Sequence, residues 1–330
     1  MRGIELVGKK HFKIYGNEIE YEFVLDRKIN ILKGDSGNGK TTLADLVRNA
    51  ESVPNIIVES DIPVAVIDSS VSYQSVLKER EGYLIILDED SLLLEVPDFY
   101  NVVFEYDIWF LIITREDSIN PRLRYSTKSI YKIKVEGMKH YFEPYYNDTL
   151  INSYKHKSKI LTEDKKSGYQ FFKLVNENTL TAEGNSNIYR CSQINKPCTV
   201  IFDSSAFGEF YDSLYVLALE QEVDLIPIEC FEYMLLKSSL FYQIEEVQAV
   251  LQEPSEYIET SQFDTWENYF ENLFNRTCQK YHIQCGKALD KCFRMKCCPK
   301  YKICELYNEN IENKVEDILK NNEIEYLSSH

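Results

Sequence analysis

The sequence predicts an α/β protein built on two separate sheets. Short, nearly continuous apolar runs recur along the chain, and most are followed by a polar turn and then by apolar residues at helical spacing. This series starts twice, on either side of the polar segment NDTLINSYKHKS. Strand–helix alternation of this kind predicts parallel sheets covered on both faces. We place a first domain at 1–152, a second, smaller α/β domain at 153–240 and a helical, cysteine-rich region at 241–330.

In the first domain, KINILKG is a strand entering a glycine turn and TTLADLVRNA is the helix that follows. PVAVID is a strand and YQSVLKER a helix. YLIILDED is a buried strand, and LLLEVPDFYNVVFEY is a helix broken at Pro97. IWFLIITRED is a further buried strand, and SIYKIKVEG with KHYFEPYY forms a hairpin around Glu136-Gly137. In the second domain KILTE, NTLTAEG, PCTVIFD and VDLIPIE are strands. SGYQFFKLV and AFGEFYDSLYVLALEQE are helices, and from Phe231 onward the pattern is helical.

The net charge of −16 argues against nucleic-acid binding over the whole surface, because phosphate contacts depend on Lys and Arg displacing counterions. A nucleic-acid role therefore needs a local basic patch, a metal or a partner. Met1 to Gly16 alternates polar and apolar residues, unlike a signal peptide. IWFLII and YLIIL are too short to span a membrane. The expectation is a cytoplasmic protein with no membrane partner.

Gly34-Asp35-Ser36-Gly37-Asn38-Gly39-Lys40-Thr41 fits G-x-x-x-x-G-K-[ST] in full, between a strand and a helix. Glycines let backbone N–H groups turn toward phosphate, and the helix N-terminus favours the same anion. Lys40 is expected on the β- and γ-phosphates of ATP, with Thr41 on Mg²⁺ and Thr42 beside it. Asp88 and Glu89 end a buried strand. They read as a Mg²⁺-organising carboxylate and a base for the attacking water, or else as a solvated acidic turn. Thr114-Arg115 ends another strand, where a polar residue senses the γ-phosphate or simply closes the strand.

These stretches, INILKGDSGNGKTTL and YLIILDED, resemble the ATPase head of the ATP-binding-cassette superfamily, especially that of overcoming-lysogenisation-defect nucleases and related phage-defence ATPases. The resemblance covers about residues 1–150. It implies ATP hydrolysis and a homo-oligomer or partner protein. The interval from Lys40 to Asp88 leaves no room for the usual helical arm, no LSGGQ-like segment is present, and no histidine follows Thr114.

In the second domain Glu163, Gly184 and Asp203 each close a strand. That order resembles the Toprim fold of topoisomerases, primases and the same nucleases, over about residues 158–240. The resemblance implies Glu163 as general acid or base and Asp203 as a Mg²⁺ ligand. Ser205 stands where that family has its second Asp, and Glu229, ending the next strand, is the candidate replacement. Clustered carboxylates suit Mg²⁺ and phosphoryl cleavage. The other reading is a sheet edge with acids for solubility.

Six of the nine cysteines fall between Cys278 and Cys304. Cys278, His282, Cys297, Cys298 and Cys304 could make a Zn²⁺ site, although paired C-x-x-C knuckles are absent; buried free thiols are the alternative. The stretch 276–302 is also basic, with Arg276, Lys280, Lys287, Lys291, Arg294, Lys296, Lys300 and Lys302 against Asp290. Tyr281, Phe293 and Tyr301 are interleaved. It is the candidate DNA or RNA patch, or a solvated helix face. The functional expectation is an ATP-regulated, Mg²⁺-dependent nuclease-like defence component. Its alternative is a nucleotide-gated binding or regulatory protein whose second domain cuts nothing.

Overall fold

The structure is a computed structural model. It describes residues 7–16, 18–35, 37–68, 72–115, 123–146, 158–165, 167–260, 262–281, 283–284, 294–295 and 311–327. The chain forms two compact units, Met1–Tyr146 with Ser255–Thr265, and Asn147–Pro254 with Trp266–His330. Both are α/β, one around a large mixed sheet and one around a parallel sheet.

The first unit contains β1 (Lys10–Gly16), β2 (Ile19–Leu25), β3 (Ile29–Lys33), α1 (Lys40–Asn49), β4 (Ile57–Ser60), β5 (Val64–Val66) and α2 (Tyr73–Glu79). It continues with β6 (Leu84–Leu87), α3 (Phe99–Val102), β7 (Trp109–Thr114), β8 (Ile130–Glu136) and β9 (Lys139–Pro144). The strand order is β4-β1-β2-β9-β8-β3-β7-β6-β5. The five strands β8, β3, β7, β6 and β5 are paired with one another in parallel. β3, β6 and β7 are buried at every residue, which is why their sequences are apolar almost without interruption.

The sheet is mixed: beside the expected parallel strands and the expected β8–β9 hairpin it carries the antiparallel pair β1–β2. β1 and β2 alternate buried and exposed residues, and β8 and β9 also expose side chains. Short turns join each pair, and such turns permit only antiparallel pairing. Gly137, at φ 67, takes the first central position of the β8–β9 turn, where positive φ favours glycine. The helix expected at 92–106 is instead a 3₁₀ turn, Leu92–Glu95, followed by the one-turn α3, with Pro97 between them. Proline cannot donate the hydrogen bond that would join the two.

Side chains of β7 alternate between the faces of the sheet. Trp109, Leu111 and Ile113 join Leu43, Ala44, Leu46 and Val47 of α1 in one apolar core. Phe110 packs edge-on to Phe99, 5.8 Å between ring centroids. The segment 255–265 is tied in by a hydrogen bond from Trp109 Nε1 to Thr260 Oγ1 at 3.0 Å.

The second unit contains β10 (Ile160–Thr162), α4 (Ser167–Val175), β11 (Thr179–Thr181), α5 (Asn185–Asn195), β12 (Cys198–Asp203), α6 (Gly208–Leu219) and β13 (Val223–Ile228). After these come α7 (Phe231–Leu236), α8 (Glu245–Gln252), α9 (Trp266–Lys280), the short pair β14 (Ile283–Gln284) and β15 (Arg294–Met295), and α10 (Ile311–Asn321). Its four-stranded sheet, β11-β10-β12-β13, is parallel throughout. α5 was not expected, since the sequence reading passed from strand to strand there. Parallel strands need a crossover, and α5 provides it although it buries little beyond Ile188 and Ser192.

The Phe110 ring is fully buried between sheet and α3. Phe110→Ala should lower the stability of the first unit by about 3–5 kcal/mol. Urea unfolding followed by Trp109 fluorescence, in a Trp266→Phe background, reads this directly. A loss below about 1 kcal/mol would mean that this face of β7 is not packed as described.

Candidate functional site

The sheet order of the first unit places three strand ends side by side. β7 lies between β3 and β6, paired in parallel with both. The carboxyl ends of β3, β7 and β6 therefore present the glycine loop, Thr114-Arg115 and Asp88-Glu89 along one edge. Ligands of open α/β sheets bind at such edges.

Glycine is needed where the loop bends. Gly34, Gly37 and Gly39 have φ of 141, 88 and 87, a region that costs other residues strain. A Cβ on Gly39 would sit 2.7 Å from the Tyr21 hydroxyl oxygen. That hydroxyl donates to the Gly39 carbonyl at 2.7 Å. Burial pushes the Tyr21 phenol up to about 12, so it remains a donor at neutral pH. The Tyr21 ring lies 4.8 Å from that of His140, between centroids. β2 and β9 thus brace the last turn of the loop, with Thr42 hydrogen-bonded to the same phenol. Ser36 lies outside the described residues; Asp35, Gly37, Asn38 and Thr41 are exposed.

Lys40 is 4% exposed. Its Nζ donates to the Gly34 carbonyl and, at 2.7 Å, to the Asp35 carbonyl. It forms no ion pair among the described residues. Burial lowers the pKa of the ammonium; the charges of Glu89, Asp35 and Asp88 oppose this and Arg115 adds to it. A buried ammonium held only by carbonyl dipoles is an incomplete arrangement that a bound anion would complete. The loop therefore fits a phosphate chain.

Asp88 is buried, and its Oδ1 accepts from the Glu89 N–H at 2.9 Å. Its Oδ2 lies 3.4 Å from Nη2 of Arg48 on α1. Arg48 is also bound by both Asp68 oxygens, at 2.8 and 2.9 Å, and by Asp45 at 2.6 Å. This clamp did not emerge from sequence reading, because Arg48 and Asp88 are 40 residues apart. Glu89 Oε1 accepts from Arg115 Nη2 at 2.6 Å.

In the second unit the chain goes from β10 outward to β11, then returns to the other side of β10 as β12. The crevice between the ends of β10 and β12 is thus a topological switch point, the usual ligand position in such sheets. A pocket of about 240 Å³ opens there, lined by Glu163, Asp164, Asp203, Glu232, Glu267 and Glu271 among others. Glu163 Oε2 accepts from the Asp203 N–H at 3.1 Å. Burial, then the charges of Glu163, Glu267, Glu232 and Asp164, pushes the Asp203 carboxyl well above the usual carboxylate range. Glu163 and Asp203, both expected from sequence, do come together.

Glu229 does not line this pocket. It is buried, and its carbonyl accepts from the Ser205 N–H at 3.1 Å. The Ser205 hydroxyl is buried without a hydrogen-bond partner. Asp164 serves the fold, accepting from the N–H groups of Gly168 and Tyr169 at the start of α4, at 3.3 and 3.0 Å. The acids missed by sequence reading are Glu232 on α7 and Glu267 and Glu271 on α9. The last two are four apart and share a helix face, a spacing that offered the one local clue.

No three His, Cys, Asp or Glu side chains among the described residues are grouped to hold a metal ion. Mg²⁺ ordinarily takes one or two protein carboxylates and completes its octahedron with water and substrate phosphate. Glu163 and Asp203 offer that number of hard oxygen donors. His282, Cys297, Cys298 and Cys304 lie outside the described residues. Cys278 is buried on α9 and disulfide-bonded, whereas a zinc site would need its thiolate. In the basic stretch, Glu246 pairs with Arg276 at 2.7 Å and with Lys280 at 3.6 Å. Apart from Arg294, its remaining basic residues lie outside the described ones. No helix among the described residues is long and apolar enough to cross a membrane.

Burial pushes Glu232 up to about 7, opposed by its own N–H and reinforced by Glu271, Glu267 and Asp164. The unfolded carboxyl titrates near 4.5, so between these values the folded chain binds more protons than the unfolded one. Stability should fall as pH rises through that window and remain lower above it. Glu232→Gln should therefore raise the thermal midpoint at pH 8 in metal-free buffer and change it little at pH 4. Equal midpoints at pH 8 would count against a buried, like-charged site.

Comparison of the chain with models of known families and with curated proteins finds no match in either set.

Proposed function

We propose that the chain binds and hydrolyses ATP at the glycine loop, and that the nucleotide governs a Mg²⁺-dependent nuclease centre in the acidic pocket. One observation carries the first half: among the described residues the buried Lys40 ammonium has no ionic partner inside a loop of positive-φ glycines. Lys40 would take the β- and γ-phosphates, with loop N–H groups around them. Thr41 and Asp88 would hold Mg²⁺, whose charge offsets that developing on the phosphate oxygens. Glu89 would accept the proton of the attacking water. Arg48 would hold Asp88 in orientation.

The second half rests on the meeting of Glu163 and Asp203 at the switch point of the second sheet. Those two residues would hold the cleavage ion, which supplies Lewis-acid stabilisation of a phosphodiester in displacement. Asp203 would lose its proton when the ion binds, because a ligating carboxylate must be charged. On this reading the chain is a cytoplasmic defence component acting on DNA or RNA, as a homo-oligomer or with a partner protein.

One observation favours the rival, a nucleotide-gated regulator that cuts nothing: Ser205 stands in the second acid's place and Glu229 is outside the pocket lining. Two measurements discriminate. Lys40→Ala should abolish ATP binding by calorimetry, and undiminished affinity would refute the loop assignment. Mg²⁺ or Mn²⁺ should support nicking of DNA or RNA that Glu163→Ala eliminates. If wild-type protein cleaves neither under those conditions, the regulatory reading stands instead.

A further inference from the structure

We propose that Arg115 reads the terminal phosphate: it exchanges its pairing with Glu89 for the γ-phosphate when a triphosphate is bound. This inference rests on the reading of the loop as an ATP site. β7 runs between β3 and β6, so Arg115 leaves the sheet between the loop and Asp88-Glu89. Its Nη2 lies 2.6 Å from Glu89 Oε1. Both charges also act on the Lys40 ammonium, Glu89 raising its pKa and Arg115 lowering it.

The two arginines near this edge differ in how they are held. Arg48 is tied to Asp45, Asp68 and Asp88, and is 28% exposed. Arg115 pairs with Glu89 alone among the described ion pairs, and is 54% exposed. An exposed pair of this kind contributes little to stability and exchanges readily. A γ-phosphate offers more negative charge than one carboxylate and three acceptor oxygens. The planar guanidinium fork suits it better than the single contact it makes with Glu89. Lys40 marks where the phosphate chain arrives, and Arg115 follows the strand beside it.

The exchange links binding to chemistry. In the closed pair one Glu89 oxygen is engaged, so the base is occupied. When Arg115 moves to the γ-phosphate, both oxygens are free. A water oxygen then bonds to the γ-phosphorus, and the bond from that phosphorus to the bridging oxygen breaks. The electron pair leaves with ADP, and Glu89 takes the proton from the water. ADP has no γ-phosphate and leaves the pair closed. Arg115 thereby favours ATP over ADP and keeps Glu89 idle until the substrate is in place.

The test uses the full chain with Mg²⁺ and measures dissociation constants for ADP and for the non-hydrolysable β,γ-imido analogue of ATP. Wild type should bind the analogue more tightly. Arg115→Ala should weaken the analogue roughly 10- to 100-fold, the usual worth of a hydrogen bond to a charged group, while leaving ADP unchanged. Arg115→Lys, which keeps charge without the fork, should recover part of the loss. Glu89→Gln, which removes the competing carboxylate, should bind the analogue more tightly than wild type. An unchanged analogue-to-ADP ratio in Arg115→Ala, or equal weakening of both ligands in both Arg115 variants, would overturn the inference while leaving the ATP site intact. If wild type binds neither ligand, the ATP reading itself falls, and this inference with it.

Discussion

A buried ammonium with no counter-ion among the described residues is the constraint on which the first unit's site depends. Lys40 follows three glycines at positive φ, which other residues adopt only with strain, and it begins α1, so backbone geometry fixes where it lies. Only 4% of its surface is exposed. Its neighbours supply carbonyl dipoles directly and carboxylates only at longer range. Removing a cation from water costs far more than two carbonyls return. The arrangement makes physical sense as a receptor for an anion with several oxygens.

The second unit has the inverse imbalance. Its pocket gathers carboxylates from two strand ends and two helices, with no cation among the described residues that line it. The chain meets this by keeping protons, as the upward shifts of Asp203 and Glu232 show. A proton is the smallest cation that relieves the repulsion, and a divalent ion would do so more completely. The second unit therefore gathers one sign of charge at the carboxyl ends of its parallel strands, whereas the first sets Lys40 and Arg115 beside Asp88 and Glu89. This follows from sheets whose strands are buried on both faces: charges are excluded from the strands and collect where the strands end.

What the sequence made legible was local. The apolar runs of β3, β6 and β7, the glycine spacing and the acids closing β6, β10 and β12 all stand in windows a few residues long. Glu163 and Asp203 could be paired because both close strands of one parallel sheet. What stayed hidden depends on contacts between distant positions. The Tyr21 hydroxyl meets Gly39 across 18 residues, and Arg115 meets Glu89 across 26. The alternation of β1 is plain in hindsight, but its partners β2 and β4 fix its meaning. Glu229 looked equivalent to Glu163 at a strand end, yet only the three-dimensional arrangement separates the acid that lines the pocket from the one beside it. Nothing local marks Ser255–Thr265 as part of the first unit, since the Trp109–Thr260 hydrogen bond spans 151 residues.

The most direct measurement is the position of Lys40 Nζ in a crystal of the chain grown with Mg²⁺ and a non-hydrolysable ATP analogue. The account predicts that Nζ leaves the Gly34 and Asp35 carbonyls and lies about 2.7–2.9 Å from β- and γ-phosphate oxygens. Nζ still bound to both carbonyls, with the nucleotide absent or lodged elsewhere, would contradict it.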